Sequence, residues 1–140
     1  MASDQLGCNP SLMVAYSFKK HFAPKILDGS KRQTIRGHRK RHAWPGEPLQ
    51  LYQGMRTKYC KKILDPDPVC LAVLPIWIDV PKCSEPCRIQ VGEHPEQWLD
   101  DAFAIADGFD NARAMIKFWI DNHDPGRFDG VLIRWELQVR

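Results

Sequence analysis

Along the first two thirds of the chain, short apolar and alternating runs suit strands; apolar positions then recur at helical spacing over about 95–120 before alternation returns at the end. Residues 13–18 (MVAYSF) predict a first strand. Residues 22–27 (FAPKIL) predict a short helix, with Pro24 in its first turn and Gly29 closing it. A short strand over 33–36 leads into a loop over 37–48 that ends in a Pro45-Gly46 turn. Strands are expected over 49–52 and 58–64, with Gly54 breaking the chain between them. The DPDP run at 65–68 is a rigid turn. Residues 69–80 (VCLAVLPIWIDV) are the most strand-like run, with a bulge, bend or edge position expected at Pro75. Residues 88–91 return as a strand.

The pattern then changes. Pro95 is placed to open a helix in which Trp98, Leu99, Ala102, Phe103 and Ala106 share a face before Gly108 stops it. Asp110 or Asn111 can cap a second helix whose stripe is Ala112, Met115, Ile116, Trp119 and Ile120. Val131, Ile133, Trp135, Leu137 and Val139 alternate with Leu132, Arg134, Glu136 and Gln138 and mark a last strand. About six strands with two or three helices on one side predict an α+β fold, a small mixed β-barrel. Residues 1–12 read as a polar leader and 13–140 as a single domain, a length that supports one sizeable core.

Composition adds little to this, because 44% hydrophobic and 26% charged residues describe an ordinary globular chain. No apolar run approaches the roughly 20 residues that span a bilayer. The first residues also lack a basic segment followed by an apolar core, so a cytoplasmic protein without membrane contact is expected. Five cysteines are an odd number and Cys83 and Cys87 have no second pair beside them, so reduced thiols are expected. No metal or cofactor is expected.

Charge changes the picture more. Residues 19–62 carry 13 Lys/Arg against two acids, a net +11, whereas residues 63–140 carry −7. The overall +3 therefore conceals a basic half, and such a half suits an anionic partner, nucleic acid first among them. The basic residues are densest in GSKRQTIRGHRKRH at 29–42. His38, Arg39, Lys40, Arg41 and Trp44 combine phosphate-neutralising charge with a ring able to stack on an unpaired base. Arg32, Arg36, Arg56 and Lys58 extend that surface. Salt-sensitive binding of RNA or of a nucleotide is the expected behaviour.

Gly29, Lys31, Thr34 and Arg36 match a G-x-K-x-x-T-x-R segment, and Gly46-Glu47 opens the following strand. With the order of elements around them, these residues make 13–139 resemble the ASCH domain, a member of the PUA-like superfamily. That family usually has Gly-Asp where this chain has Gly46-Glu47. The resemblance implies a PUA-like barrel with a cleft for RNA or a nucleoside. It also implies an alternative, because some members are amidohydrolases that act on acetylcytidine through a Lys-Thr-Glu triad. Lysine and threonine fall on Lys31 and Thr34. The glutamate falls on Asp107 in AIADGF, which is one methylene shorter. Other members are ribonuclease-like, and a ribonuclease is the less favoured third reading.

Alternation places Thr34 and Arg36 on one face of their strand and Gln33 and Ile35 on the other. A bend near 29–32 is needed to bring Lys31 to Thr34. A threonine hydroxyl needs a base to become a nucleophile. Either Lys31 is that base, or Asp107 is the base and Lys31 stabilises developing negative charge.

Overall fold

A computed structural model describes residues 14–83 and 86–138; the leader expected over 1–12, Met13 and Val139 lie outside the described residues. The fold is α+β. Its strands are β1 (Ala15–Phe18), β2 (Gln33–Arg36), β3 (Gln50–Gln53), β4 (Lys61–Lys62), β5 (Val69–Val80), β6 (Arg88–Val91), β7 (Gln97–Trp98) and β8 (Gly126–Glu136). Its helices are α1 (Ala23–Asp28), α2 (Asp101–Ala106) and α3 (Ala112–Asn122), with a 3-10 turn over Lys20–Phe22 before α1. No helix among the described residues is long and apolar enough to cross a membrane.

The strands form two sheets rather than the single barrel expected from the sequence. β1, β3 and β4 make the first, with β1 parallel to β3. The second runs β2-β8-β5-β6-β7 and is antiparallel throughout. An isolated bridge between Pro48 and Val69 joins them, and no closed ladder forms among the described residues. The long β5–β8 pair is the backbone of the fold, from Val69 opposite Glu136 to Val80 opposite Gly126. Its alternation sorts side chains into two cores. Ile133 and Trp135 join Tyr16, Phe18, Ile26 and Leu51 between the sheets. Leu132, Ile76, Ile78 and Ile89 face α2 and α3 on the other side. The α3 stripe read from the sequence is core packing: Met115, Ile116 and Trp119 are buried.

Several expectations are corrected. Of the bulge, bend or edge position expected at Pro75, the structure shows the edge position, while the one register shift in the β5–β8 ladder lies between Cys70 and Ala72. Pro75 is tolerated because the β6 ladder begins only at Ile76, so its missing N–H falls where one neighbour is absent. Pro95 opens no helix: Gln97 and Trp98 pair with β6 instead, and Arg88 lies over the Trp98 ring at 5.5 Å. α2 starts where Asp100 accepts a hydrogen bond from the Phe103 N–H at 2.8 Å. The strand expected over 58–64 shrinks to β4, and β8 begins five residues before position 131. Cys70 and Cys87 are buried thiols, but Cys60 is disulfide-bonded, against the expectation of reduced thiols throughout.

Because α2 carries Asp107 at its C-terminal end, the Asp100 cap at its other end helps to hold that carboxyl in place. Asp100→Ala is expected to lower the unfolding free energy by about 1 kcal/mol in urea titration.

Candidate functional site

The chain brings Lys31, Thr34, Arg36 and Asp107 to one cavity of about 180 Å³, together with Ser17, Lys19 and the rings of Phe18, Phe22, Phe109 and Phe118. Gly29 makes this possible by closing α1 in the left-handed region, at φ 86°. The turn it creates is then pinned from both sides. The Lys31 N–H donates to the Lys25 carbonyl at 3.0 Å, and the Arg32 N–H donates to the Ala106 carbonyl at 2.9 Å. This ties the entry to β2 directly to the end of α2.

Lys31 is buried, at 3% exposure. Its Nζ donates to the backbone carbonyls of Gln33 at 2.8 Å and Asp107 at 2.5 Å. It thereby satisfies an orphan carbonyl at a helix C-terminus, where a cation is favoured. The same ammonium sits 4.9 Å from the centre of the Phe22 ring and 5.4 Å from that of Phe18. Asp107 is buried too, and its Oδ1 accepts from Gln33 Nε2 at 3.3 Å. Gln33 is held in turn through its Oε1 by Arg134 Nε at 3.4 Å.

Electrostatics set the two ionisable groups against their burial. Desolvation pushes the Lys31 ammonium down to about 8, with the Asp107 charge opposing and Arg36 reinforcing that shift. Desolvation pushes the Asp107 carboxyl up to about 6, opposed by Lys31, the Gln33 hydrogen bond and Arg36. Arg36 is also lowered, to about 10, chiefly by burial. It donates from Nε to Thr34 Oγ1 at 3.2 Å and from Nη2 to the Ser17 carbonyl at 2.7 Å, which spans from β2 to β1. Thr34 keeps its hydroxyl proton to give. Lys31 donates to carbonyls rather than to Thr34, and Arg36 is the group that holds the Thr34 oxygen.

The basic loop is anchored beside this cavity by Tyr16. Arg36 and Arg39 both stack on the Tyr16 ring, at 5.3 and 4.6 Å. Arg39 Nη2 donates to the Ala15 carbonyl at 3.3 Å, and the His42 Nδ1 lies 2.8 Å from the Tyr16 hydroxyl. Farther out, Arg41 pairs with Glu47 and lies over the Trp44 ring at 4.9 Å. Trp44 is 66% exposed, so it is not a packing residue. His38 and Lys40 are exposed on the same loop.

Three candidates fall elsewhere. Arg32 lines a separate groove with Leu71, Gln97 and Arg134. Arg56 and Lys58 lie on the exposed β3–β4 loop and do not line the cavity. Their loop still begins next to it, where the Met55 N–H donates to Ser17 Oγ at 3.1 Å. Among the described residues no cluster of His, Cys, Asp and Glu could hold a metal ion.

Gln33 and Gly108 were not singled out by their chemistry. Gln33 carried one available signal: it is a polar residue on the face that also carries Ile35. Gly108 reads from the sequence only as a helix stop. A Cβ there would lie 2.6 Å from Lys31 Cδ and 2.9 Å from Phe22 Cδ1, so the Lys31 stem occupies the space a side chain would need.

The fold and site together define an α+β domain with a buried Lys–Asp pair in an aromatic-walled cavity beside a basic loop. No family model, no curated protein and no solved structure matches the chain.

Proposed function

We propose that this is an RNA- or nucleoside-binding domain of ASCH type, with a base seated in the Lys31–Thr34–Arg36–Asp107 cavity and phosphates on the basic loop. One observation carries the reading. Arg36 inside the cavity and Arg39 on the loop stack on the same Tyr16 ring, so a polar, ring-walled crevice and a phosphate-neutralising surface adjoin. The crevice offers the Thr34 hydroxyl, the guanidinium of Arg36 and a carboxylate, a set suited to the mixed donor and acceptor edge of a base. Its volume of about 180 Å³ suits one planar ring system rather than a drug-sized ligand. The basic loop supplies exposed Trp44 for stacking on a neighbouring base. The two sheets meeting at Pro48–Val69 are compatible with a PUA-like arrangement that is open along one seam.

A second reading, an amidohydrolase acting on an acylated nucleoside such as acetylcytidine, is favoured by Thr34. Its hydroxyl oxygen accepts from Arg36, which stabilises negative charge on that oxygen, and a lysine with a depressed pKa stands in the same cavity. One set of titrations tests both readings. Wild-type protein is expected to bind nucleosides and short single-stranded RNA, with the RNA affinity falling steeply as salt rises. Arg36→Ala should weaken both ligands by about tenfold or more. Absence of binding at low salt, or RNA affinity indifferent to salt, removes the binding reading. Acetate release from acetylcytidine that disappears in Thr34→Ala while nucleoside binding persists establishes the enzyme.

A further inference from the structure

A second concavity is lined from the same stretch of chain: Lys20, Ala23 and Pro24 line it, whereas Lys19 and Phe22 line the cavity just described. It has a volume of about 240 Å³ and an apolar floor of Ala23, Pro24, Leu27 and Ile63. Lys20, Lys61 and Lys62 line it as well, with Gln53. Leu27 is 57% exposed although it belongs to α1, so the floor is open to solvent. Lys62 is compensated by Asp67 at 2.8 Å, but neither Lys20 nor Lys61 pairs with a carboxylate among the described residues.

Its place in the fold is informative. The basic loop is anchored at Ala15 and Tyr16, the cavity takes Ser17, Phe18 and Lys19, and this groove takes Lys20, Ala23 and Pro24. β3 runs parallel alongside, with Gln53 opposite Phe18, and carries the chain on toward β4. Three features therefore succeed one another along residues 15–24, each with cations and an apolar or aromatic surface. Lys19 and Lys20 are consecutive residues, and the first lines the cavity while the second lines the groove.

We propose that the groove between α1 and β4 is a further subsite for single-stranded nucleic acid, taking the nucleotide next to the one whose base enters the cavity. The inference rests on the nucleoside reading of that cavity. The floor of Pro24, Leu27 and Ile63 receives the face of an unpaired base, and Lys20 and Lys61 neutralise its flanking phosphates. Charge complementarity and continuity with the cavity both select a polyanionic strand. The ligand class is consequently an oligonucleotide rather than a free nucleoside.

The test compares a mononucleoside with a single-stranded RNA of about six nucleotides, a length within the roughly 4–16 nucleotides that one single-strand-binding OB domain covers, by calorimetry and fluorescence anisotropy. The oligonucleotide is expected to bind at least about tenfold more tightly at low salt. The double variant Lys20→Glu/Lys61→Glu should abolish most of that gain and reduce the salt slope by about 1.4, or about 0.7 for each phosphate that is no longer neutralised. Its mononucleoside affinity should stay at the wild-type value, because neither lysine lines the cavity. A more conservative Lys20→Gln/Lys61→Gln variant should show the same selective loss in smaller measure, which separates charge from misfolding. Wild-type binding of the nucleoside with no gain for the oligonucleotide overturns the subsite and leaves the cavity reading intact. Failure to bind either ligand overturns both. A polyglutamate peptide that displaces the oligonucleotide at equal charge overturns nucleic acid as the occupant.

Discussion

Replacing Lys31 with methionine is expected to weaken nucleoside binding by about 30-fold or more, because the cavity loses a buried cation that its ligand would meet. The substitution keeps most of the aliphatic stem between Phe18 and Phe22, so the walls should stay in place. It leaves the carbonyls of Gln33 and Asp107 without the ammonium that now satisfies them. It also removes the charge that holds the Asp107 carboxyl down against burial, so that carboxyl should titrate at higher pH than in the wild type. Carbonyl 13C shifts of Asp107 followed against pH would show this directly. An Asp107 titration that does not move would mean that the two groups do not share a field, and the electrostatic account of the site would be wrong.

The same pair gives the wild type a distinctive pH profile. Asp107 has a higher pKa folded than unfolded, so the native state holds the extra proton and the contribution to stability is lost as pH rises through about 6. Lys31 has a lower pKa folded than unfolded, so the unfolded state holds the extra proton above about 8 and stability recovers as pH rises toward the ordinary lysine value. Between these limits both groups are charged and buried. In Lys31→Met the alkaline recovery should vanish and the acid-side loss should move to higher pH.

The second large effect concerns Gly108. Gly108→Ala is expected to destabilise the protein by about 2–4 kcal/mol, combining an unfavourable left-handed backbone with overpacking. The backbone there has φ 102°, and the new methyl would press on Lys31 Cδ and Phe22 Cδ1. Two other glycines separate these causes. Gly46 has a similar φ of 91° but nothing within 4 Å of a Cβ, so alanine there should cost only the backbone part, about 1 kcal/mol. Gly37 has neither constraint, and alanine there should change stability by less than about 0.5 kcal/mol. Urea midpoints for the three variants would rank them. Equal effects at 46 and 108 would show that the Lys31 stem is not tightly held.

Local pattern was legible where the chain decides structure over short distances. β2, β5 and β6 lie where the local sequence placed strands, and α3 begins after Asn111, whose side chain accepts from the Ala114 N–H at 2.9 Å. The failures share one cause. Trp98 and Leu99 fit a helical stripe with Ala102 and Phe103, but Arg88 and Ile89 offer Gln97 and Trp98 a partner strand. A distant ladder outweighed a local periodicity. At Pro75 the sequence allows a bulge, a bend or an edge, and the position at which β6 starts selects the edge.

The site divides in the same way. That Thr34 and Arg36 share a face came from the two-residue period of a strand, and both line the cavity. Lys31 required a bend that alternation could not supply, and the bend is held by Lys25 and by Ala106, which is 74 residues away from Arg32 along the chain. The identities of the charged groups, their crowding into residues 19–62 and the alternation of the strands belong to the sequence alone, because they need no partner to be expressed. Burial of Lys31 against Asp107, the separation of Arg32 from Arg36, and the placing of Lys19 and Lys20 in separate concavities were decided only by tertiary structure. Each depends on which remote backbone fills the space beside it, and the pKa shifts result from that exclusion of water.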